Sequence, residues 1–174
     1  MKSTFMRTQN FILVDTSGSM WPKWDNVKSN LTELDNLLED KLFVFTNSEV
    51  VFTARSLNPY LKYIEPSGLT NFVVTLEEIL NKLETGKDYN IHLFTDSCGK
   101  VKYEDRVRII TQLNLINNQS NVTFYGVSDL VRCKLGLDLL TLDSINFIKN
   151  SYVDQYKQTS SLLVNLHKTM SRKL

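Results

Sequence analysis

Short apolar runs alternate with amphipathic stretches along this chain. Phe11-Ile12-Leu13-Val14 is continuously apolar between polar flanks, the pattern of a strand covered on both faces. Trp24, Val27, Leu31, Leu34 and Leu38 then recur at helical spacing and predict a helix over 25–39, with Trp24 in the core. The runs 42–45 and 50–53 read as two strands joined by Thr46-Asn47-Ser48-Glu49, a hairpin-length connection. Residues 58–71 hold Pro59, Pro66 and Gly68, which predicts a long surface loop. Val73, Leu76, Leu80 and Leu83 share one helical face, with Gly86 as the stop. Ile91-His92-Leu93-Phe94 is a further buried strand, followed by a helix from near Tyr103 carried by Val107, Ile110, Leu113, Leu115 and Ile116. A strand over 122–127, a short helix over 131–140, a strand over 145–148 and a long helix over 151–172 complete the pattern. Tyr152, Tyr156, Leu163, Leu166 and Met170 form the apolar stripe of that last helix.

Strands that alternate with helices need crossover connections, hence a mostly parallel sheet between helical layers. The expectation is a Rossmann-like three-layer α/β sandwich with helices on both faces. The 42–53 hairpin supplies one antiparallel edge strand. No internal repeat or low-complexity linker interrupts the chain, so residues 1–174 are expected to form one domain closed by the 151–172 helix.

Composition narrows the function classes. At 174 residues, 42% hydrophobic and 22% charged, the chain can bury an ordinary core. Twenty Lys and Arg stand against 19 Asp and Glu, a net charge of +1, which argues against a nucleic-acid binder. No apolar run approaches the roughly 18–20 residues of a membrane span. The first ten residues are too polar for a signal peptide, so the expected setting is cytoplasmic with no membrane contact. Cys98 and Cys133 form neither a disulfide framework nor a zinc spacing, and Cys98 reads as a small buried thiol. His92 and His167 join no cluster and read as structural.

The chemistry gathers after the strands. In an open parallel sheet the loops that follow the carboxyl ends of strands share one rim, where ligands bind. The first strand runs into Asp15-Thr16-Ser17-Gly18-Ser19, the long loop carries Ser67-Gly68-Leu69-Thr70-Asn71, and the 91–94 strand runs into Thr95-Asp96-Ser97. All the donors there are hard oxygens. Hydroxyls with two carboxylates suit Mg²⁺, which prefers octahedral oxygen coordination, and leave it electrophilic toward an incoming anionic oxygen.

These residues carry a resemblance. Asp15-Thr16-Ser17-Gly18-Ser19-Met20 resembles the Asp-x-Ser-x-Ser signature of the von Willebrand factor type A (vWA) domain. Thr70 matches that family's lone metal-site threonine and Asp96 its final aspartate, with the resemblance strongest over residues 10–150. Ser97 stands where relatives often have glycine, and Gly68-Leu69 where many have paired glycines; the oxygen-bearing residues are kept. The resemblance implies a metal-ion-dependent adhesion site (MIDAS) at Asp15, Ser17, Ser19, Thr70 and Asp96, holding Mg²⁺ or Mn²⁺. It further implies a protein partner that supplies an Asp or Glu to the metal, and a place as adaptor or regulator in a larger complex. Strands 11–14 and 91–94 must then be central neighbours, since they deliver Asp15 and Asp96 to one ion.

Trp21, Asn71 and Ser97 are the partner-binding candidates around this rim. For Trp21 the commoner role is a ring that packs its loop onto the domain. A Mg²⁺-dependent phosphohydrolase or phosphotransferase is the alternative, with Asp15 as nucleophile. No Asp-x-Asp pair, P-loop or rim histidine supports it, and Lys23 and Lys100 are the basic candidates nearby. An RNA-associated module is the third reading, and the near-neutral charge weighs against it.

Overall fold

The computed structural model describes residues 7–47, 51–57, 60–138 and 140–172. Six strands form one sheet: β1 (Gln9–Asp15), β2 (Lys41–Thr46), β3 (Val51–Ala54), β4 (Asp88–Phe94), β5 (Asn121–Tyr125) and β6 (Ile145–Ile148). Their spatial order is β3-β2-β1-β4-β5-β6. Every pairing is parallel except β2 with β3, so the antiparallel strand lies at the edge. The turn expected at 46–49 falls partly outside the described residues.

Side-chain alternation along β1 builds the layers, because successive strand residues face opposite sides. Phe11 and Leu13 face a core formed with α2 (Phe72–Asn81), α3 (Tyr103–Ile116) and α4 (Asp129–Lys134). Ile12 and Val14 face the other core, formed with α1 (Trp24–Leu37) and the start of α5 (Tyr152–Arg172). The expected three-layer α/β sandwich is the one observed, and residues 11–14 and 91–94 are adjacent in register, Phe11 opposite Ile91 and Val14 opposite Phe94.

Chain order also creates a rim crevice. From β1 the sheet grows one way through β2 and the other way through β4. The loops that leave β1 and β4 therefore diverge to opposite faces, which opens a gap above their carboxyl ends.

Three expectations change. The helix expected over 131–140 is the shorter α4: Ser128 caps its start by accepting from Val131 N at 3.3 Å, and Gly136 at φ 72° ends it. Leu135 and Leu137 are buried on either side of that glycine, past the last helical residue Lys134, so their spacing reports core contact in a turn and not helix. In α3 the buried side is Ile109, Leu113 and Ile116, while Val107 and Leu115 face solvent. In α5 only Val153 is buried and Tyr152 is half-buried; the expected stripe at Tyr156, Leu163, Leu166 and Met170 is exposed. Lys157 pairs with Glu33 of α1 at 3.0 Å, and from 161 to 172 every residue of α5 is exposed. No helix among the described residues is long and apolar enough to cross a membrane.

Candidate metal centre

Three loops meet above β1 and β4. The first follows β1 through Thr16 and Ser17 into a 3-10 turn, Gly18–Lys23, whose Met20 is buried and anchors it. The second is the 67–71 segment before α2. Backbone bonds tie the two together: Gly18 N donates to Gly68 O at 2.9 Å, and Ser67 N to Thr16 O at 2.7 Å. Thr16 is held in turn on β2, with its N and Oγ1 both donating to Thr46 O at 2.9 and 3.0 Å.

The third loop follows β4. Thr95 Oγ1 donates to Asp15 Oδ2 at 2.7 Å and accepts from Cys98 N at 3.0 Å. Cys98 at φ 59° and Gly99 at φ 68° turn the loop back over the site. Gly99 then lies against Thr70, so closely that a Cβ built on it would sit 2.4 Å from Thr70 Cγ2. Loop two is thereby wedged between loops one and three.

Asp15 lies at the bottom of this arrangement with 0% exposure. Its Oδ1 accepts from Ser17 N at 2.8 Å, and its Oδ2 from Thr95. Both oxygens are satisfied by dipoles, yet no cation pairs with the carboxylate among the described residues. A buried carboxylate without a counter-charge is costly, and an adjacent cation offsets that cost. Above it, Ser17 Oγ and Ser19 Oγ are 3.1 Å apart, the first buried and the second exposed. Thr70 Oγ1 accepts from Phe72 N at 3.1 Å, which orients the hydroxyl while leaving its proton and a lone pair uncommitted. Asp96 is half-buried, and Ser97 Oγ donates to it at 3.3 Å.

The five residues expected at one site are therefore carried by three loops on one rim, the first of them bonded to each of the other two. Their donor set is hydroxyl and carboxylate oxygen, which fits a hard divalent ion. No group of three or more His, Cys, Asp or Glu side chains converges as a metal site among the described residues, so softer ligation has no cluster to draw on. Cys98 is buried beside the site, and burial, reinforced by the Asp15 charge, pushes its thiol up to about 12. It is a small buried thiol, as expected.

Trp21 differs from expectation and Thr95 adds to it. Trp21 is 53% exposed and does not pack its loop down; Met20 does that instead. Asn71 is exposed at the start of α2, where its carbonyl accepts from Thr75 N. Thr95 carries a role that local sequence does not reveal, because its partner is 80 residues away on the neighbouring strand.

No family model matches the chain, and no curated protein matches it. Among solved structures it is similar to a von Willebrand factor type A protein from Catenulispora acidiphila, at 14% identity and a TM-score of 0.47 over 83% of this chain. This chain spans 39% of the length of that protein. It is also similar to the SpRpn10 VWA domain, at 11% identity and a TM-score of 0.45, covering 81% of this chain and 86% of that one. The assignment to the α/β class rests on the strand order and register of its own sheet: six strands, five parallel in direction and one antiparallel at the edge, with helices on both faces.

Proposed function

We propose that the chain is a vWA-like, cation-dependent protein-binding module, with Asp15, Ser17, Ser19, Thr70 and Asp96 holding Mg²⁺ or Mn²⁺. One observation carries this reading: a fully buried, unpaired carboxylate lies beneath a cluster of rim hydroxyls. Asp15 has both oxygens engaged by Ser17 and Thr95, so it acts from beneath, supplying charge and orienting the Ser17 backbone. Ser17, Ser19 and Thr70 offer neutral oxygens, and Asp96 offers a second charge from the opposite loop. A divalent ion in such a setting supplies a hard positive centre with affinity for an oxyanion. The partner's Asp or Glu carboxylate is that oxyanion, and Trp21, Asn71 and Ser97 lie around it to contribute contacts. The protein is accordingly a binding component of an assembly and not an enzyme.

Calorimetric titration with Mn²⁺ tests the site: one binding event is expected in the natural protein and none in Asp15→Ala. Affinity capture in Mg²⁺ and in EDTA tests the function, with partners retained only in Mg²⁺. Thr70→Ala should weaken that capture by about 1–3 kcal/mol while leaving the metal-free melting temperature nearly unchanged. Capture that ignores EDTA sinks the binding reading, and Asp15-dependent release of phosphate from a phosphate ester replaces it with the hydrolase.

A further inference from the structure

A second feature adjoins the rim on the α3 side. A depression of about 490 Å³ is lined by Ser97, Gly99, Lys100, Val101, Arg106 and Lys134. Three of those six residues are cationic, and none is acidic. Of the carboxylates nearby on the chain, Asp105 caps Lys102 N at 3.0 Å and bonds Arg108 Nη2, Asp138 lies 4.0 Å from Arg132, and Asp96 accepts from Ser97 Oγ at 3.3 Å.

The cations are held facing the depression rather than neutralised. Lys134, the last residue of α4, donates to Gly99 O at 2.8 Å, which uses one of its three protons. Arg106 lays its stem along Gly136, whose Cβ position is 3.7 Å from Arg106 Cδ. Its Nε is buried with no hydrogen-bond partner, and no ion pair of its guanidinium exists among the described residues. A buried guanidinium N–H without an acceptor is a standing cost that an incoming oxyanion removes. Lys100 is exposed at the mouth.

Gly99 is a shared wall. One side of it touches Thr70 of the metal-site loop, and its carbonyl holds Lys134. Ser97, which lines the depression, also bonds Asp96. The two features are one residue thick apart.

We propose that the depression is an oxyanion subsite that takes a second acidic or phosphorylated side chain from the same bound polypeptide; for the source of its anion, it rests on the partner-carboxylate reading above. Arg106 and Lys134 supply N–H donors from the wall of the depression, and Lys100 supplies charge at the entrance. A nucleic acid is the less suitable occupant, because a chain of net charge +1 offers little basic surface for a continuous polyanion to follow.

The test uses the isotope-labelled full chain in EDTA, titrated separately with the N-acetyl methylamides of phosphoserine and of glutamate and followed by amide shifts. Saturable shifts at Gly99, Lys100, Val101 and Lys134 are expected with at least one probe. Tighter binding of the phosphoserine probe identifies phosphate as the source, and equal binding identifies carboxylate. Arg106→Gln and the exposed Lys100→Gln should each weaken the interaction roughly threefold while leaving Mn²⁺ titration unchanged. Shifts that fail to saturate, or that Lys100→Gln and a folded Arg106→Gln leave unaltered, overturn the subsite. So does an oligouridylate that binds these residues more tightly than either probe. Anion binding in a protein that fails to bind Mn²⁺ sinks the metal reading and leaves the subsite standing.

Discussion

The Thr95 hydroxyl donates to Asp15 Oδ2 at 2.7 Å, joining the ends of β4 and β1 across the rim crevice. The same oxygen accepts from Cys98 N, so the loop after β4 is registered on a carboxylate of the loop after β1. Asp15 is thus both a hub of loop geometry and a buried charge, and the two roles separate on substitution.

Asp15→Asn retains the shape and removes the charge. Its amide can donate to Thr95 Oγ1 and its carbonyl can accept from Ser17 N, so the loop bonds survive. In EDTA the variant is expected to melt at or above the natural protein, since an unpaired buried carboxylate has been deleted. In saturating Mn²⁺ the order reverses, because a ligand present at about 100 times its Kd stabilises only the natural protein, by about 2.7 kcal/mol. Melting curves with and without Mn²⁺ decide it; an unchanged order in both conditions refutes a cation at this site.

Gly99→Ala should disturb Thr70 at a distance from any ligand. The residue sits at φ 68°, where an L side chain costs roughly 1–2 kcal/mol, and its new methyl would press on Thr70 Cγ2. Relief by rotating Thr70 about χ1 takes Oγ1 away from Phe72 N and from the rim. Lower stability together with weakened Mn²⁺ binding is expected, the second measured by calorimetry on the folded variant. Full Mn²⁺ affinity would show that Thr70 does not contribute.

His92 makes stability depend on acidity. Its ring stacks on Tyr125 at 5.2 Å and meets Tyr152 edge-on at 5.4 Å. Asn10 Oδ1 can only accept, which places the proton on Nε2 and leaves Nδ1 buried without a partner. Burial depresses the imidazole from its ordinary 6.5 to about 3. The unfolded chain therefore binds a proton between these values that the folded one refuses. Stability is complete above about pH 6.5 and falls toward pH 3, with a slope of about 1.4 kcal/mol per unit from this residue. Urea midpoints measured across that range should show the slope in the natural protein and about one proton less of it in His92→Phe. Identical slopes would refute the assignment.

Much of this architecture is legible in local sequence, for stated reasons. The runs at 11–14 and 91–94 are apolar on both faces because helices cover both, and a period-two strand between two cores shows no polar side. The Asp-x-Ser-x-Ser spacing is visible because a turn after β1 brings those side chains together within five residues. The contribution of Thr95 is not visible that way, since it exists only once β1 and β4 are neighbours. The subsite is hidden for the same reason: Lys100, Arg106 and Lys134 come from a loop and two helices, joined through Gly99. Trp21 misleads because an aromatic in a loop has two opposite uses, and the adjacent Met20 takes the packing role.

The α5 helix divides the molecule into parts that unfold on different terms. Its first turn is fastened by Val153 and by Tyr152 against His92, while every residue of its last three turns is exposed. An isolated helix of that length holds near the balance between helix and coil, with only its own hydrogen bonds to sustain it. Its outer amides will exchange with solvent almost as a free peptide does, whereas those of β1 and β4 wait for the whole sheet to open. Warming will therefore erode the far-ultraviolet helical signal gradually, well before the near-ultraviolet bands of the buried Trp24 and Tyr89 change together.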